Sequence, residues 1–281
     1  MAAIPGRQKK GNVSMNNSKS TFDRQPIFDG IQGRTDEIFQ FTEVTKSNGI
    51  LTKKISVDSE GNIKKDASQC NMAYGTAQTV TMNFPEFPDY FKELNLNQAI
   101  AHGTCGYKKI KIISAAKFKN QPDTILRTKK YFHYPEGPAL AMVDYDPDDG
   151  QPVRDYQEII KIIDSVCPGF ATIPKVLTYS TSSCIYQGDT EIAGKGAGFH
   201  LYFLVKNGKD LGRFKDVLFQ RLWLAGIGYI KISRSGALLP RTIFDTAVFS
   251  PERLDFVAGA NLMDSNITQR RPDPLYIPGG A

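Results

Sequence analysis

The chain has 281 residues, enough for one large domain or two small ones, and its 41% hydrophobic and 23% charged residues are ordinary for a globular protein. No apolar run approaches the roughly 18 residues of a membrane span, and Met1 to Arg24 lacks the apolar stretch of a signal peptide, so a cytoplasmic protein with no membrane partner is expected. The net charge of +6 points mildly to a polyanionic partner.

Residues 1–25 read as a disordered basic lead and residues 26–84 as a β-rich N-terminal module. Within the module FQFTEVTKS and ILTKKISVDSEGNIKK alternate as strands do, with SEGN as a hairpin turn, and TAQTVTMNF adds another strand. Residues 85–265 form the main domain, which opens with a helix expected over Pro88 to Leu94. Between Tyr107 and Lys130 eight basic residues face Asp123 alone, a local +7 that exceeds the charge of the whole chain. That segment, with Lys108, Lys109 and Lys111 at its start, is either a solvated face or a track for a phosphate backbone.

ALAMVDY is a strand, and PVRDYQEIIKIIDSV an amphipathic helix with Pro152 in its first turn and Tyr156, Ile159, Ile160, Ile163 and Val166 on one face. KVLTYSTSS and GFHLYFLV are strands around the loop CIYQGDTEIAGKGA. KDLGRFKDVLFQRLWLAG is a second helix, on Leu211, Phe214, Leu218, Leu222 and Ala225, and YIKIS and TIFDTAVF follow as strands. The order β-α-β-β-α-β predicts a two-layer α+β domain with an open sheet face. Residues 266–281 are rich in Pro and Gly and read as a linker.

Asp144 and Asp146 leave the ALAMVDY strand on the same side, where two like charges must share a proton, recruit a cation or lie in water. Asp148 and Asp149 read as the solvated turn that follows. His200 is the histidine inside a strand, after a run of glycines that lets backbone or ligand approach closely, and a satisfied core histidine is the plainer alternative. Lys195 in that run does not make a P-loop, because G-x-x-x-x-G-K-[ST] is missing and a strand follows. Asp245 lies alone among apolar residues and has to be paired or hold a metal. Cys70, Cys105, Cys167 and Cys184 form no C-x-x-C pair and have no histidine at zinc spacing, so any metal falls to oxygen ligands.

Two carboxylates at one strand end, a strand histidine and a third carboxylate near Arg234 and Arg241 are the groups that two-metal nucleotidyl transfer requires. Asp144-x-Asp146, Gly198-x-His200 and the hydrophobic-Asp245 pair, in that order, resemble the three signature motifs of the archaeo-eukaryotic primase superfamily. RTKKYFHYPEGPALAMVDYDP and LLPRTIFDTAVFSPERLDF resemble its primase-polymerases from phages, plasmids and other mobile elements, over roughly Phe84 to Asn261. The resemblance implies a two-layer primase fold with an RRM-like mixed sheet flanked by helices. It also implies a DNA primase-polymerase, with Asp144, Asp146 and Asp245 holding Mg²⁺ or Mn²⁺ and His200 on the incoming nucleoside triphosphate. By position and charge, Lys195, Arg234 and Arg241 are further triphosphate contacts, and Arg127 and Lys129 would meet template or nucleotide. The expected partners are single-stranded DNA and a helicase domain or protein. The sequence departs from the family at Gly198, where many members have serine, and the zinc-binding element of some relatives is not visible.

Two other functions compete. A rolling-circle nickase needs His-hydrophobic-His, and HLYF has one histidine. A non-catalytic single-stranded-DNA or origin-binding module would stack bases on Tyr202 and Phe203, but three acids on its face would repel phosphate.

Overall fold

Apolar segments from both halves of the chain meet in one sheet, and that sheet positions Asp144 and His200. The computed structural model describes residues 37–148, 150–192 and 198–280, so the basic lead, Asp149 and Lys195 lie outside the described residues. In chain order the first strands are β1 (Ile38–Lys46), β2 (Lys54–Val57), β3 (Ile63–Asp66) and β4 (Tyr74–Asn83), followed by helix α1 (Phe87–Lys92). Then come β5 (Gln98–Ala101), β6 (Ile110–Ile113), β7 (Thr124–Ile125) and β8 (Ala139–Tyr145). Helix α2 (Tyr156–Val166) leads to β9 (Lys175–Tyr179), β10 (Ile185–Gln187), β11 (Thr190–Glu191) and β12 (Phe199–Val205). Helix α3 (Leu211–Leu224) leads to β13 (Tyr229–Ile232), β14 (Leu238–Arg241), β15 (Leu254–Asp255), β16 (Asn261–Leu262), β17 (Ile267–Gln269) and β18 (Leu275–Ile277).

The chain is therefore mixed α+β with few helices. Its main sheet runs β18-β9-β12-β8-β1-β4-β6-β7, with β5 beside β1 and β15 beside β5. Its pairings are antiparallel except β1 with β8 and β6 with β7. Two strands of the expected N-terminal module, β1 and β4, lie in this sheet, with β1 also pairing with β5 and β8, while β2 and β3 form a separate sheet with β16. Among the described residues no helix is long and apolar enough to cross a membrane.

Strand β12 shows why the sheet is central. Phe199, Leu201, Phe203 and Val205 point into a core under α2 and α3, while Tyr202 and Leu204 point into a second core with Phe39, Phe41, Phe84, Phe87 and Phe91. A strand apolar on both faces must be covered on both. The face expected to be open is closed by α1 and its phenylalanines, with Phe87 and Phe91 packing on the Tyr202 ring at centroid distances of 5.5 and 5.2 Å. Tyr202 and Phe203 are fully buried, so the base-stacking platform of the binding-module reading does not exist at these rings.

Helix α2 starts four residues after Pro152. Asp155 caps it by accepting from the Glu158 amide, while the Glu158 carboxylate returns to the Asp155 amide, and this reciprocal pair sets the start. The expected face is the observed one, with Ile159 and Ile163 buried and Tyr156, Ile160 and Val166 packed beside them. Gly169, at φ +92°, turns the chain after the helix. In α3 the stripe Leu211, Phe214, Leu218 and Leu222 is buried, but Ala225 lies past the helix end and is exposed.

The tail is built into the fold and is no linker. Its β17 pairs with β10, its β18 adds the edge strand beyond β9, and Arg271 donates to the carbonyls of Tyr179 and Val257. Its prolines bound the edge strand, where a missing amide costs no ladder bond.

Lys175 enters this core at the start of β9 with its side chain fully buried. Its ammonium donates to Ile173 O at 2.7 Å and stands 4.7 Å from the Phe170 ring centroid. Burial, opposed by Asp164, pulls its pKa from 10.5 down to about 8. The unfolded chain then binds the extra proton between those values, so this group adds stability as pH rises from about 8 to 10.5 and imposes a constant penalty below. Buried tyrosines titrate in the opposite sense, so the difference from Lys175→Met isolates the lysine. The wild type should gain on the variant by up to about 3 kcal/mol across that window, read from urea midpoints at several pH values.

Candidate functional site

The site is built where β8 and β12 end side by side. Their antiparallel register sets His200 opposite Asp144, and the His200 Nε2 lies 3.6 Å from the Asp144 carboxylate. Asp144 is half-buried at the strand end and Asp146 follows it exposed. Tyr145 between them points into the helix-covered core against Phe199, and its hydroxyl donates to Pro152 O while accepting from the Arg154 amide. That anchor fixes the turn after the two acids.

Asp245 reaches the same place by another route. The expected strand TIFDTAVF does not form: Asp245 instead caps a short 3₁₀ turn at Thr246–Val248, its carboxylate accepting from the Ala247 amide at 2.9 Å. An aspartate that bonds backbone two residues on offers the chain a turn in place of a ladder. The Asp245 amide donates to the Asp144 carbonyl at 3.2 Å, which ties this turn to the end of β8. Arg253 and Arg241 approach the Asp245 carboxylate at 3.5 and 3.9 Å.

The remaining expected residues are spread more widely. Arg234 is exposed and lines neither cavity described below. Arg127 is half-buried and donates to Glu252 O at 2.7 Å, which makes it part of the scaffold, whereas Lys108, Lys109, Lys111 and Lys129 are exposed. Asp148 is no solvated turn residue: it accepts from the Tyr229 hydroxyl at 2.7 Å and is paired with Lys231. Gly198 is closely approached on this side: a Cβ there would stand 3.1 Å from the Ser180 hydroxyl, 3.2 Å from the Tyr145 carbonyl and 3.3 Å from the Asp146 carboxylate.

Behind His200 lies a buried cluster with Asp255 at its hub. Asp255 Oδ1 is 3.1 Å from His200 Nδ1, and Oδ2 accepts from the Tyr202 hydroxyl at 2.6 Å and lies 3.1 Å from His102 Nε2. Burial works against the imidazolium of His200, but the Asp255 and Asp144 carboxylates outweigh it and raise its pKa above 6.5. Burial likewise works against the Asp255 carboxylate, yet His200 and His102 hold its pKa far below 3.8. The two shifts are one interaction seen from both partners: it stabilises the fold between the two ordinary values, and is lost as pH rises through the raised His200 pKa or falls through the depressed Asp255 pKa. Neither Asp255 nor His102 was expected. Asp255 could have been found by the argument applied to Asp245, since in RLDF it too is a lone acid between apolar residues.

Asp144 and Asp146 stand on the boundary of two cavities. The larger, about 380 Å³, also takes in Asp245, Asp148, Arg154, Tyr229, Lys231 and Arg241. The smaller, about 200 Å³, also takes in His200, Lys53, Arg253, Ser180 and Thr181. Burial, reinforced by the charges of Asp255, Asp245 and Asp146 and opposed by His200, raises the Asp144 pKa. Among the described residues no Lys or Arg pairs with Asp144 or Asp146, and no three acid, His or Cys side chains stand close enough to hold a metal as they are. The donors are nonetheless hard oxygens under mutual repulsion, which suits a divalent cation such as Mg²⁺ or Mn²⁺.

No family model, curated protein or solved structure matches this chain. The site is therefore read from its own chemistry.

Replacing Asp255 by Asn tests the hub. The variant should lose about 3 kcal/mol of stability, because it leaves buried donors without a charge partner. The His200 ring should also titrate at lower pH than in the wild type, followed by NMR of its ring nitrogens.

Proposed function

We propose that this chain is the catalytic part of a DNA primase-polymerase of the archaeo-eukaryotic primase superfamily, fold included, which performs template-directed nucleotidyl transfer on single-stranded DNA. One observation carries the reading: Asp144, His200 and Asp245, about a hundred residues apart end to end, meet at one strand end through the β8–β12 register and the Asp245-to-Asp144 backbone bond. His200 is also the satisfied, buried histidine of the plainer reading, with Nδ1 against Asp255 and the Tyr202 hydroxyl, but its Nε2 faces an acid at the rim of two cavities.

Asp144, Asp146 and Asp245 would hold the Mg²⁺ or Mn²⁺ ions. When bound, such ions activate a 3′-hydroxyl and neutralise a departing pyrophosphate. The chain's own part is binding and orientation. His200, held by Asp255 with Nε2 toward the smaller cavity, donates to the triphosphate, and Lys53 and Arg253 supply charge there. The Ser180 hydroxyl beside Gly198 provides the donor that a serine at 198 gives other members. In the larger cavity Arg154, Lys231 and Arg241 would receive the phosphates of the growing strand. Lys111 on β6 lies three strand spacings from β8, roughly 14 Å, close enough for the same DNA strand to touch both.

The purified chain, given single-stranded template, a primer, nucleotides and Mg²⁺ or Mn²⁺, should extend or synthesise oligonucleotides. Asp144→Ala and Asp245→Ala should each cut product formation about 10³-fold or more while DNA binding by fluorescence anisotropy persists. A wild type inert with both metals on several templates would sink the polymerase reading.

Changing Lys108, Lys109 and Lys111 to Gln should weaken DNA binding at every sequence and lower the salt slope by roughly one per lost phosphate contact. An unchanged slope would mean that the lysines are only solvated.

A further inference from the structure

Strands β13 and β14 form a two-stranded ribbon apart from every other sheet. An isolated ribbon of this length is marginal by itself. Asp148 holds it from one side, through Tyr229 and Lys231, and that side lines the larger cavity. The opposite side is apolar. Ile230 pairs with Pro240 and Ile232 with Leu238, so all four share one face. Ile230 is 48%, Ile232 69% and Leu238 67% exposed, and Leu224 at the end of α3 is 81% exposed. Several large aliphatics this bare on one face of a short ribbon mark an interaction surface.

The charge around them selects the partner. Residues 226–241 contain no acid; Lys231 and Arg241 face the larger cavity and meet Asp148 and Asp245 there, while Arg234 stands exposed in the turn at the ribbon's tip that Gly236 closes at φ +82°. A polyanion suits this setting, and the side chains favour a duplex over a single strand. Platforms for single strands are aromatic, whereas Ile, Leu and Pro are residues that wedge between stacked base pairs. A two-stranded ribbon also fits a DNA groove.

We propose that the β13–β14 ribbon is a wedge for the duplex end of a primed nucleic acid, its apolar face against the terminal base pairs and Arg234 on a phosphate, so that the strand end lies at the larger cavity. This rests on the nucleic-acid reading of the site, but its test reads binding and not synthesis. The variant Ile232→Ser/Leu238→Ser changes only exposed positions and should fold as the wild type does. By anisotropy it should bind a short duplex with a 5′ overhang about tenfold more weakly than the wild type, and bind the same single strand unchanged. Arg234→Gln should lower the salt slope on the duplex by about one. The proposal is overturned if the double variant binds the primed template like the wild type, if loss is equal on both DNAs, or if the wild type does not bind the duplex end. A wild-type dimer by sedimentation that the variant dissolves, with DNA binding intact, assigns the face to self-association and also overturns it. A wild type that grips the primed template through the ribbon yet polymerises nothing supports the wedge while removing the proposed enzyme.

Discussion

The carboxylate of Asp255, fully removed from water, is the constraint on which the site depends. A buried charge is tolerated only when donors surround it, and here three side chains from distant strands supply them: His102 after β5, and His200 and Tyr202 on β12. Because β15 pairs with β5, and β5 with β1, the hub is fastened to the sheet by backbone as well. His200 is thereby fixed in one orientation, its Nδ1 toward Asp255 and its Nε2 toward Asp144. A histidine free to rotate could not present one nitrogen in a fixed direction, so Asp255 sets what the ring it holds can face.

The same arrangement separates two kinds of acid. Asp255 is compensated and anionic, while Asp144, next to it through His200, is burdened by burial and by three neighbouring carboxylates. Carboxylates pushed apart in this way take different tasks, one structural and one open to chemistry. The two cavities that share Asp144 and Asp146 give that chemistry two approaches, one lined by His200, Lys53 and Arg253 and one by Lys231 and Arg241.

Much of this was legible in the sequence where burial leaves a simple pattern. ALAMVDY is β8 to the residue because an apolar run that ends in acid must leave the core there, and the α2 stripe follows helical spacing. The strand pattern failed at TIFDTAVF, where the Asp245 side chain competes for its own backbone, a local bond that hydropathy does not register. It failed again in the tail, where Pro and Gly suggested a linker although Ile267 and Ile277 find partners on β10 and β9. Lys175 was invisible as a buried residue and Arg127 as a half-buried one, since long basic side chains normally reach water. The Glu252 carbonyl that holds Arg127 is brought there by tertiary folding, whereas Lys175 bonds the Ile173 carbonyl two residues before it.

The sheet order has a consequence for the life of the chain before it is folded. β1 meets β8 across about a hundred residues, and β15 meets β5 across about one hundred and fifty. Such closures are costly in entropy and slow, whereas β6 and β7, with the lysines of the segment around them, close over a short loop. A partly folded molecule therefore displays its cationic edge before the acids and the histidine are assembled.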